Sequence, residues 1–178
     1  MDAKRGSEPA RMKNRTTVER KSERELVVTR TFDAPARIVF DAWTKPELFK
    51  RWWVPKSIGV TLGSCEMDVR VGGGYRLVFG TDPSNQRAFH GRYIEVIPNA
   101  RLVWTNDEAD EGNPVTTVTF EEKDGQTMLV VRDLYPTKQA LDDALASGSG
   151  MDAMPETFDQ LDEVLVTEGA RVGRSEGR

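Results

Sequence analysis

Apolar residues change their spacing along the chain, and each change predicts a boundary between elements. Residues 25–32 (ELVVTRTF) are rich in β-branched residues and predict a strand. From residue 36 to residue 44 apolar residues recur at helical spacing, which predicts a helix, and Pro46 begins a second short helix. The first folded elements are therefore one strand and two short helices.

Residues 57–71 predict a strand with a change of phase. Its apolar positions are even as far as Leu62 and odd from Cys65 onward. Because side chains alternate between the two faces of a strand, the apolar side chains stay on one face only if the strand contains one extra residue at the change of phase. We therefore expect a β-bulge at Gly63 and Ser64.

The strands that follow are joined by short, turn-forming segments. Such connections are too short for parallel crossovers, so the strands should form an antiparallel meander. These strands are expected at 75–79, 87–97, 101–106, 115–122 and 127–134.

A helical pattern returns after residue 136. Residues 138–147 predict one helix, and an apolar stripe over 151–165 predicts a long amphipathic helix that begins or bends at Pro155. An antiparallel sheet must cover its apolar face, and this last helix is the predicted element best able to do so. The predicted fold class is α+β. A curved antiparallel sheet of about six to seven strands grips a long C-terminal helix (a helix-grip fold) and encloses a cavity.

Composition sets the limits of the domain. The 178 residues are 38% hydrophobic and 30% charged, which suits one domain with a solvated surface. Basic residues outnumber acidic ones over residues 1–24, and few bulky apolar residues accompany them, so this segment is predicted to be a disordered basic arm. Residues 169–178 are predicted to be a disordered tail. The helix-grip domain is then expected over 25–168.

Charge and residue counts argue against several classes of protein. A net charge of −4 argues against a nucleic-acid partner. The single cysteine, Cys65, excludes an internal disulfide, and one histidine limits any metal site, so neither a metal nor a cofactor is predicted. We expect no membrane-spanning helix and no secretory signal, which favours a cytoplasmic protein.

Two polar residues could carry chemistry. Asp133 continues the inward phase of Leu129 and Val131, and a carboxylate there is costly unless it is paired or solvated. It could bind a ligand hydroxyl or cation, act as a base with a raised pKa, or lie at a wet rim where the strand ends. His90 could face the cavity or the surface, because both parities of its strand carry apolar residues.

Aromatic and methionine side chains supply the expected cavity wall. Trp52 and Trp53 are adjacent and cannot both face inward on a helix, so one should pack and the other should lie at the cavity mouth. Methionines could form an adaptable wall or fill gaps in the core. The predicted ligand-binding residues are Trp53, Tyr75, Phe79, His90, Tyr93, Asp133, Met151, Met154 and Phe158.

Three segments resemble a known family. They are TFDAPARIVFDAWTKPELFKRWW (31–53), CEMDVRVGGGYRLVF (65–79) and HGRYIEVIPNARLVWT (90–105). The resemblance continues through TMLVVRDLYPTKQALDDAL (127–145) and GMDAMPETFDQLDEVL (150–165), so that it covers about residues 25–167. The chain is similar to the SRPBCC (START-like) superfamily, in its branch of heat-shock-protein-90 ATPase activator homologues. The resemblance implies a helix-grip fold. It also implies a function among ligand carriers, cyclase-like proteins and co-chaperones.

Three functions follow as hypotheses. The first is a protein that binds a hydrophobic small molecule in its internal cavity, with no catalytic residue assigned. The second is a co-chaperone or protein-interaction module that uses the outer sheet and the basic arm. The third is a cyclase-like or lyase-like enzyme that uses Asp133. A homodimer through an exposed sheet edge is left open.

Overall fold

The structure, a computed structural model, describes residues 15–80, 82–148 and 153–175. Within these residues, eight strands and four α-helices follow one another, with a short 3₁₀ helix at Lys56–Ile58. The strands are β1 (Thr17–Arg20), β2 (Glu25–Phe32), β3 (Leu62–Met67), β4 (Gly74–Phe79), β5 (Arg87–Ile97), β6 (Arg101–Thr105), β7 (Val115–Lys123) and β8 (Gln126–Leu134). The helices are α1 (Ala36–Thr44), α2 (Pro46–Phe49), α3 (Lys138–Ala146) and α4 (Met154–Ser175).

All eight strands form one curved antiparallel sheet in the order β1-β2-β8-β7-β6-β5-β4-β3. Strands β3 to β8 are a meander in which each strand pairs with the next. Strand β2 joins this meander beside β8, and β1 forms the outer edge. The α+β helix-grip prediction is confirmed, with eight strands in place of six to seven.

The segment 57–71 contains a shorter strand than its pattern predicts. Lys56–Ile58 is helical, and β3 begins only at Leu62. The register against β4 shifts between Leu62 and Ser64, which confirms the predicted bulge. An ideal Cβ on Gly63 would lie 2.9 Å from the carbonyl oxygen of Gly80, so the bulge brings two backbones too close for a side chain.

Both predicted disordered ends contain ordered structure. Thr17–Arg20 forms β1 and pairs with β2, so disorder of the arm is wrong for this stretch. Helix α4 continues to Ser175, so the predicted tail is helical as far as that residue. Residues 1–14 and 176–178 of the predicted ends lie outside the described residues.

The core lies between the concave face of the sheet and helices α1 and α4. Helix α1 buries one apolar face against β7, β8 and α4. Helix α4 begins at Met154, with Pro155 in its first turn, where a missing N–H removes no helical hydrogen bond. The buried stripe of α4 consists of Phe158, Leu161, Val164 and Leu165.

Polar side chains also fix α4 in place. The buried Gln160 amide donates to the carbonyl oxygens of Trp52 (3.0 Å) and Val54 (2.8 Å) and accepts from the backbone N–H of Lys56 (2.9 Å). Gln160 therefore attaches α4 to the segment that follows α2.

An ion pair joins α4 to the sheet. The Arg30 guanidinium on β2 is 5% exposed and bonds the carboxylates of Asp159 (2.7 Å) and Asp162 on α4. It also lies 5.3 Å from the centre of the Phe32 ring. A buried guanidinium is costly unless it is paired, and these two carboxylates pair it.

Candidate functional site

A cavity of about 270 Å³ lies between the sheet and helices α1 and α4. Small-molecule sites typically enclose about 300–1,000 Å³, so this cavity suits a small ligand. Its wall is mainly aromatic and aliphatic, with a few polar side chains. The lining residues are Trp43, Phe49, Trp53, Met67, Tyr75, Leu77, Phe79, Phe89, Tyr93, Trp104, Asn106, Glu108, Thr116, Val131, Asp133 and Met154.

A glycine in β5 lets a tyrosine lie across the sheet. Gly91 is opposite Tyr75 of β4, and a Cβ on Gly91 would lie 2.8 Å from the Tyr75 ring and 1.9 Å from the carbonyl oxygen of Thr105. Without that side chain, the Tyr75 hydroxyl reaches the Thr105 carbonyl oxygen and Asn106 Oδ1, at 3.0 Å each. Tyr75 is thereby fixed in the cavity wall.

The adjacent tryptophans after α2 have different surroundings. Trp52 is fully buried, and its indole N–H donates to the carbonyl oxygen of Ala42 at 2.9 Å. Trp53 keeps some exposure, lines the cavity and stacks on Phe49 at 4.8 Å between ring centres. Trp52 therefore packs in the core, and Trp53 is the member of the pair that lines the cavity.

Trp43 is the central ring of an aromatic cluster that also contains Phe49, Trp52, Trp53 and Trp104. Its ring centre lies 5.9 Å from that of Trp53 and 6.0 Å from that of Trp104. Trp43 is 2% exposed, and its indole N–H has no hydrogen-bond partner among the described residues. Buried N–H groups are normally paired, so this unpaired donor is an exception among the buried polar groups of the core.

Asp133 brings a carboxyl into the same cavity. It keeps some accessible surface because it lines the cavity, yet protein surrounds its carboxyl group. This burial raises the pKa of Asp133 to about 6, and a hydrogen bond from the Thr116 hydroxyl (2.6 Å to Oδ1) acts in the opposite direction. A carboxyl with such a pKa is present in both protonation states near neutral pH and can accept or donate a proton.

A chain of hydrogen bonds orients that carboxyl. Asn106 Nδ2 donates to the Thr116 hydroxyl at 3.0 Å and to the carbonyl oxygen of Pro114 at 2.8 Å. Thr116 in turn donates to Asp133, so the Thr116 hydroxyl both accepts and donates. The network holds Asp133 in one orientation through Thr116 and Asn106.

Glu108 is the second carboxylate of the lining. It follows β6 in the same loop as Asn106 and is half-buried, and burial raises the pKa of its carboxyl. Among the described lining residues, Asp133 and Glu108 carry charge when ionised, and none is lysine, arginine or histidine. The cavity therefore has an acidic polar part within an aromatic wall.

A model of one protein family matches residues 33–166, and its description is "Activator of Hsp90 ATPase homolog 1-like protein". This match covers most of the chain. The chain belongs to this family. The resemblance found in the three sequence segments is therefore confirmed. No curated protein gives a significant match to the chain.

Solved structures support the same fold for this member of the activator-homologue family. A Rhodobacter sphaeroides protein is 24% identical, with a TM-score of 0.74 over 85% of this chain and 98% of that one. A Nitrosomonas europaea protein is 25% identical, with a TM-score of 0.72 over 84% and 99%. A Staphylococcus epidermidis protein is 26% identical, with a TM-score of 0.70 over 85% and 94%.

The cavity of this activator-homologue domain gathers most of the predicted ligand-binding residues. Met151 lies outside the described residues. The predicted residues that line the cavity are Trp53, Tyr75, Phe79, Tyr93, Asp133 and Met154.

Two predicted residues lie elsewhere. His90 is exposed and does not line the cavity, because the inward phase of β5 belongs to Phe89, Gly91 and Tyr93. Phe158 is fully buried and packs against Phe32 at 5.5 Å between ring centres, which places it in the core. Both placements correct the sequence expectation.

Several lining residues were not predicted from the sequence. Thr116 shares the inward parity of Val118 and Phe120, a signal that could have identified it. Asn106 and Glu108 lie in a loop, where no periodicity assigns a direction to a side chain. Trp43 and Trp104 are aromatic residues in or against the core that also line the cavity.

Two further features bear on the type of protein. The described residues contain no group of three or more His, Cys, Asp or Glu side chains placed to hold a metal ion. Among the helices in the described part of the chain, none is long and apolar enough to cross a membrane.

Proposed function

We propose that this protein binds a small, largely apolar, flat ligand in the cavity. The observation that carries the proposal is the aromatic cavity of about 270 Å³ with a polar group, Asp133, in its wall. Flat apolar ligands gain from aromatic contact, and a small number of polar groups set their orientation.

The test is saturable binding of a small neutral aromatic, 1-naphthylmethanol, measured by isothermal titration calorimetry. We expect one site per chain. Trp53 forms part of the wall, so Trp53→Ala should weaken binding by about tenfold through the lost ring contact. Trp53→Phe keeps an aromatic ring and is the matched control, with affinity within about threefold of the original. Absence of saturable binding, or equal affinity in Trp53→Ala, would contradict the proposal.

A second function, binding of a protein partner, is favoured by the family match and by the outer sheet face. Val115 and Leu134 are cross-strand partners that are 37% and 46% exposed. They lie on the face opposite Thr116 and Asp133. The family's description names an activator of the Hsp90 ATPase, so we propose a chaperone of that type in the cytoplasm as the partner to test.

The test of this second function measures chaperone ATPase rate with and without the protein. If the chaperone contacts the outer face, the double variant Val115→Asp, Leu134→Asp should no longer stimulate its ATPase, because charges replace the apolar contact. Val166→Asp on α4 is the control, since Val166 is 74% exposed and lies on another surface. No stimulation by the unmodified protein, or equal stimulation by the double variant, would count against this function.

A further inference from the structure

The charges in the cavity wall restrict the kind of ligand. Among the described lining residues, the ionisable carboxyl groups belong to Asp133 and Glu108, and no basic side chain balances them. We infer that the cavity takes a ligand whose polar end is a cation, such as a protonated amine on an aromatic or aliphatic body. This inference rests on the proposed function and names the chemical class of its ligand.

The aromatic wall favours the same class. The ring centres of Trp53 and Trp104 lie 5.9 Å and 6.0 Å from that of Trp43, and all three residues line the cavity. The face of an aromatic ring carries negative electrostatic potential and attracts cations, most strongly for tryptophan and when water is excluded. The same rings would contact the apolar body of the ligand. The aromatic wall therefore suits both the cationic end and the apolar body.

Among the described residues, no positively charged side chain pairs with Asp133. The groups that face its carboxyl are the Thr116 hydroxyl on β7, Tyr75 on β4 and Tyr135 after β8, all neutral at pH 7. Glu108 adds negative charge near Tyr75. A buried carboxylate without a counter-ion is costly.

The electrostatic contribution to binding should therefore differ between cationic, neutral and anionic ligands. A cationic ligand supplies the missing counter-ion of Asp133. A neutral ligand leaves the cost of the buried carboxylate in place, and an anionic ligand adds repulsion from both carboxylates.

His90 does not neutralise this site. It lies near Glu108, but its side chain is exposed and outside the lining. A charge at that exposed position is screened by solvent, whereas a charge inside the cavity is not. The cation that best complements Asp133 is therefore one that the ligand carries.

The experiment compares three probes with the same naphthalene body: 1-naphthylmethylamine (cationic), 1-naphthylmethanol (neutral) and 1-naphthoate (anionic). Binding to the full chain is measured by isothermal titration calorimetry at pH 7.5. We expect the amine to bind about tenfold more tightly than the alcohol, as a desolvated cation–aromatic contact and a paired carboxylate allow. The anionic probe, 1-naphthoate, should bind more weakly than the alcohol.

Two variants and a control locate the effect. Asp133→Asn keeps an acceptor for Thr116 but removes the charge, so the affinity of this variant for the amine should fall to its affinity for the alcohol. Glu108→Gln should reduce the preference for the amine by a smaller factor. Asp107→Asn removes an exposed carboxylate next to Glu108 and outside the lining, and it should leave the preference unchanged.

A pH series adds an independent readout. The amine should bind more weakly below pH 6, where Asp133 becomes protonated, and reach a constant affinity above that range. The affinity for the alcohol should depend less on pH. In Asp133→Asn, the affinity for the amine should lose most of its dependence on pH.

The outcomes separate the two proposals. If the alcohol binds and the amine binds no more tightly, or if the preference survives in both Asp133→Asn and Glu108→Gln, the cation inference is overturned while the binding function stands. If none of the three probes binds, the binding function itself fails. A preference for the amine that disappears in Asp133→Asn and persists in Asp107→Asn supports the inference.

Discussion

Asp133 occupies an inward position of β8, in phase with the buried Leu129 and Val131. Burial raises its pKa from 3.8 to about 6, so the folded protein holds this proton more tightly than the unfolded chain does. A carboxyl of this kind favours folding most below pH 4, and its contribution is lost as the pH rises to about 6. At neutral pH the ionised side chain therefore reduces the stability of the domain.

The first prediction concerns the stability of Asp133→Asn. At pH 8 the variant should exceed the original protein in free energy of unfolding by about 2 kcal/mol, less than the full equivalent of the shift because solvent reaching the cavity screens part of it. At pH 4 the two proteins should agree. Urea denaturation at pH 4, 6 and 8 measures the difference, and comparison of the two proteins cancels the titration of all other groups. Parallel curves at the three pH values would show that Asp133 has an ordinary pKa.

At the scale of elements, Gln160 controls the position of the segment that carries Trp53. Its amide bonds three backbone groups, at Trp52, Val54 and Lys56, and so fixes the chain on both sides of Trp53. The position of this part of the cavity wall therefore depends on a side chain of α4 that does not itself line the cavity.

The second prediction replaces that amide by a side chain of similar length. Gln160→Met leaves three backbone groups without partners, one buried and two part-buried, and should lower the free energy of unfolding by about 3 kcal/mol. Glu163→Met introduces the same side chain at an exposed position of α4 and should change stability by less than about 0.5 kcal/mol. Thermal and urea unfolding measure both. Equal effects of the two substitutions would mean that the hydrogen bonds of Gln160 contribute little.

The sequence predicts the larger elements because each contains a clear alternation of buried and exposed residues. The helix predicted over 36–44 and the strand predicted over 87–97 have the observed bounds. Strand β1 is different, because all four of its residues are exposed at an edge and show no alternation. The end of α4 was also missed. Once its buried turns have formed, each further residue extends the helix at little cost, whatever its polarity.

At the scale of the whole molecule, the parts of the site predictable from sequence are those on regular strands. Tyr75 and Asp133 were predicted from strand parity, and both line the cavity. His90 was ambiguous because both faces of β5 carry apolar residues. Glu108 could not be predicted, because it lies in the loop between β6 and β7. The direction of a loop side chain depends on how the two strands place the loop, and no periodicity in the sequence reports that.

The third prediction concerns the outer edge of the sheet. Removing residues 1–24 deletes β1 and also the hydrogen bond from Arg30 to the Thr16 hydroxyl. The domain should still fold but lose about 2 kcal/mol in free energy of unfolding, and the uncovered edge of β2 should increase self-association. Urea denaturation and analytical ultracentrifugation measure the two effects. A deletion that ends at residue 14 keeps β1 and is the control. If both deletions behave alike, β1 does not protect the edge.

The position of β2 beside β8 also affects how the protein folds during synthesis. Glu25 on β2 bonds Arg132 on β8, 107 positions later in the sequence. Strand β2 therefore leaves the ribosome about 100 residues before its inner neighbour exists, whereas each strand of the meander meets its partner soon after emerging. Such long-range pairing is slow, because the chain entropy of a large loop is lost before the contact is gained. The nascent chain thus lacks the inner partner of an apolar strand for most of its translation.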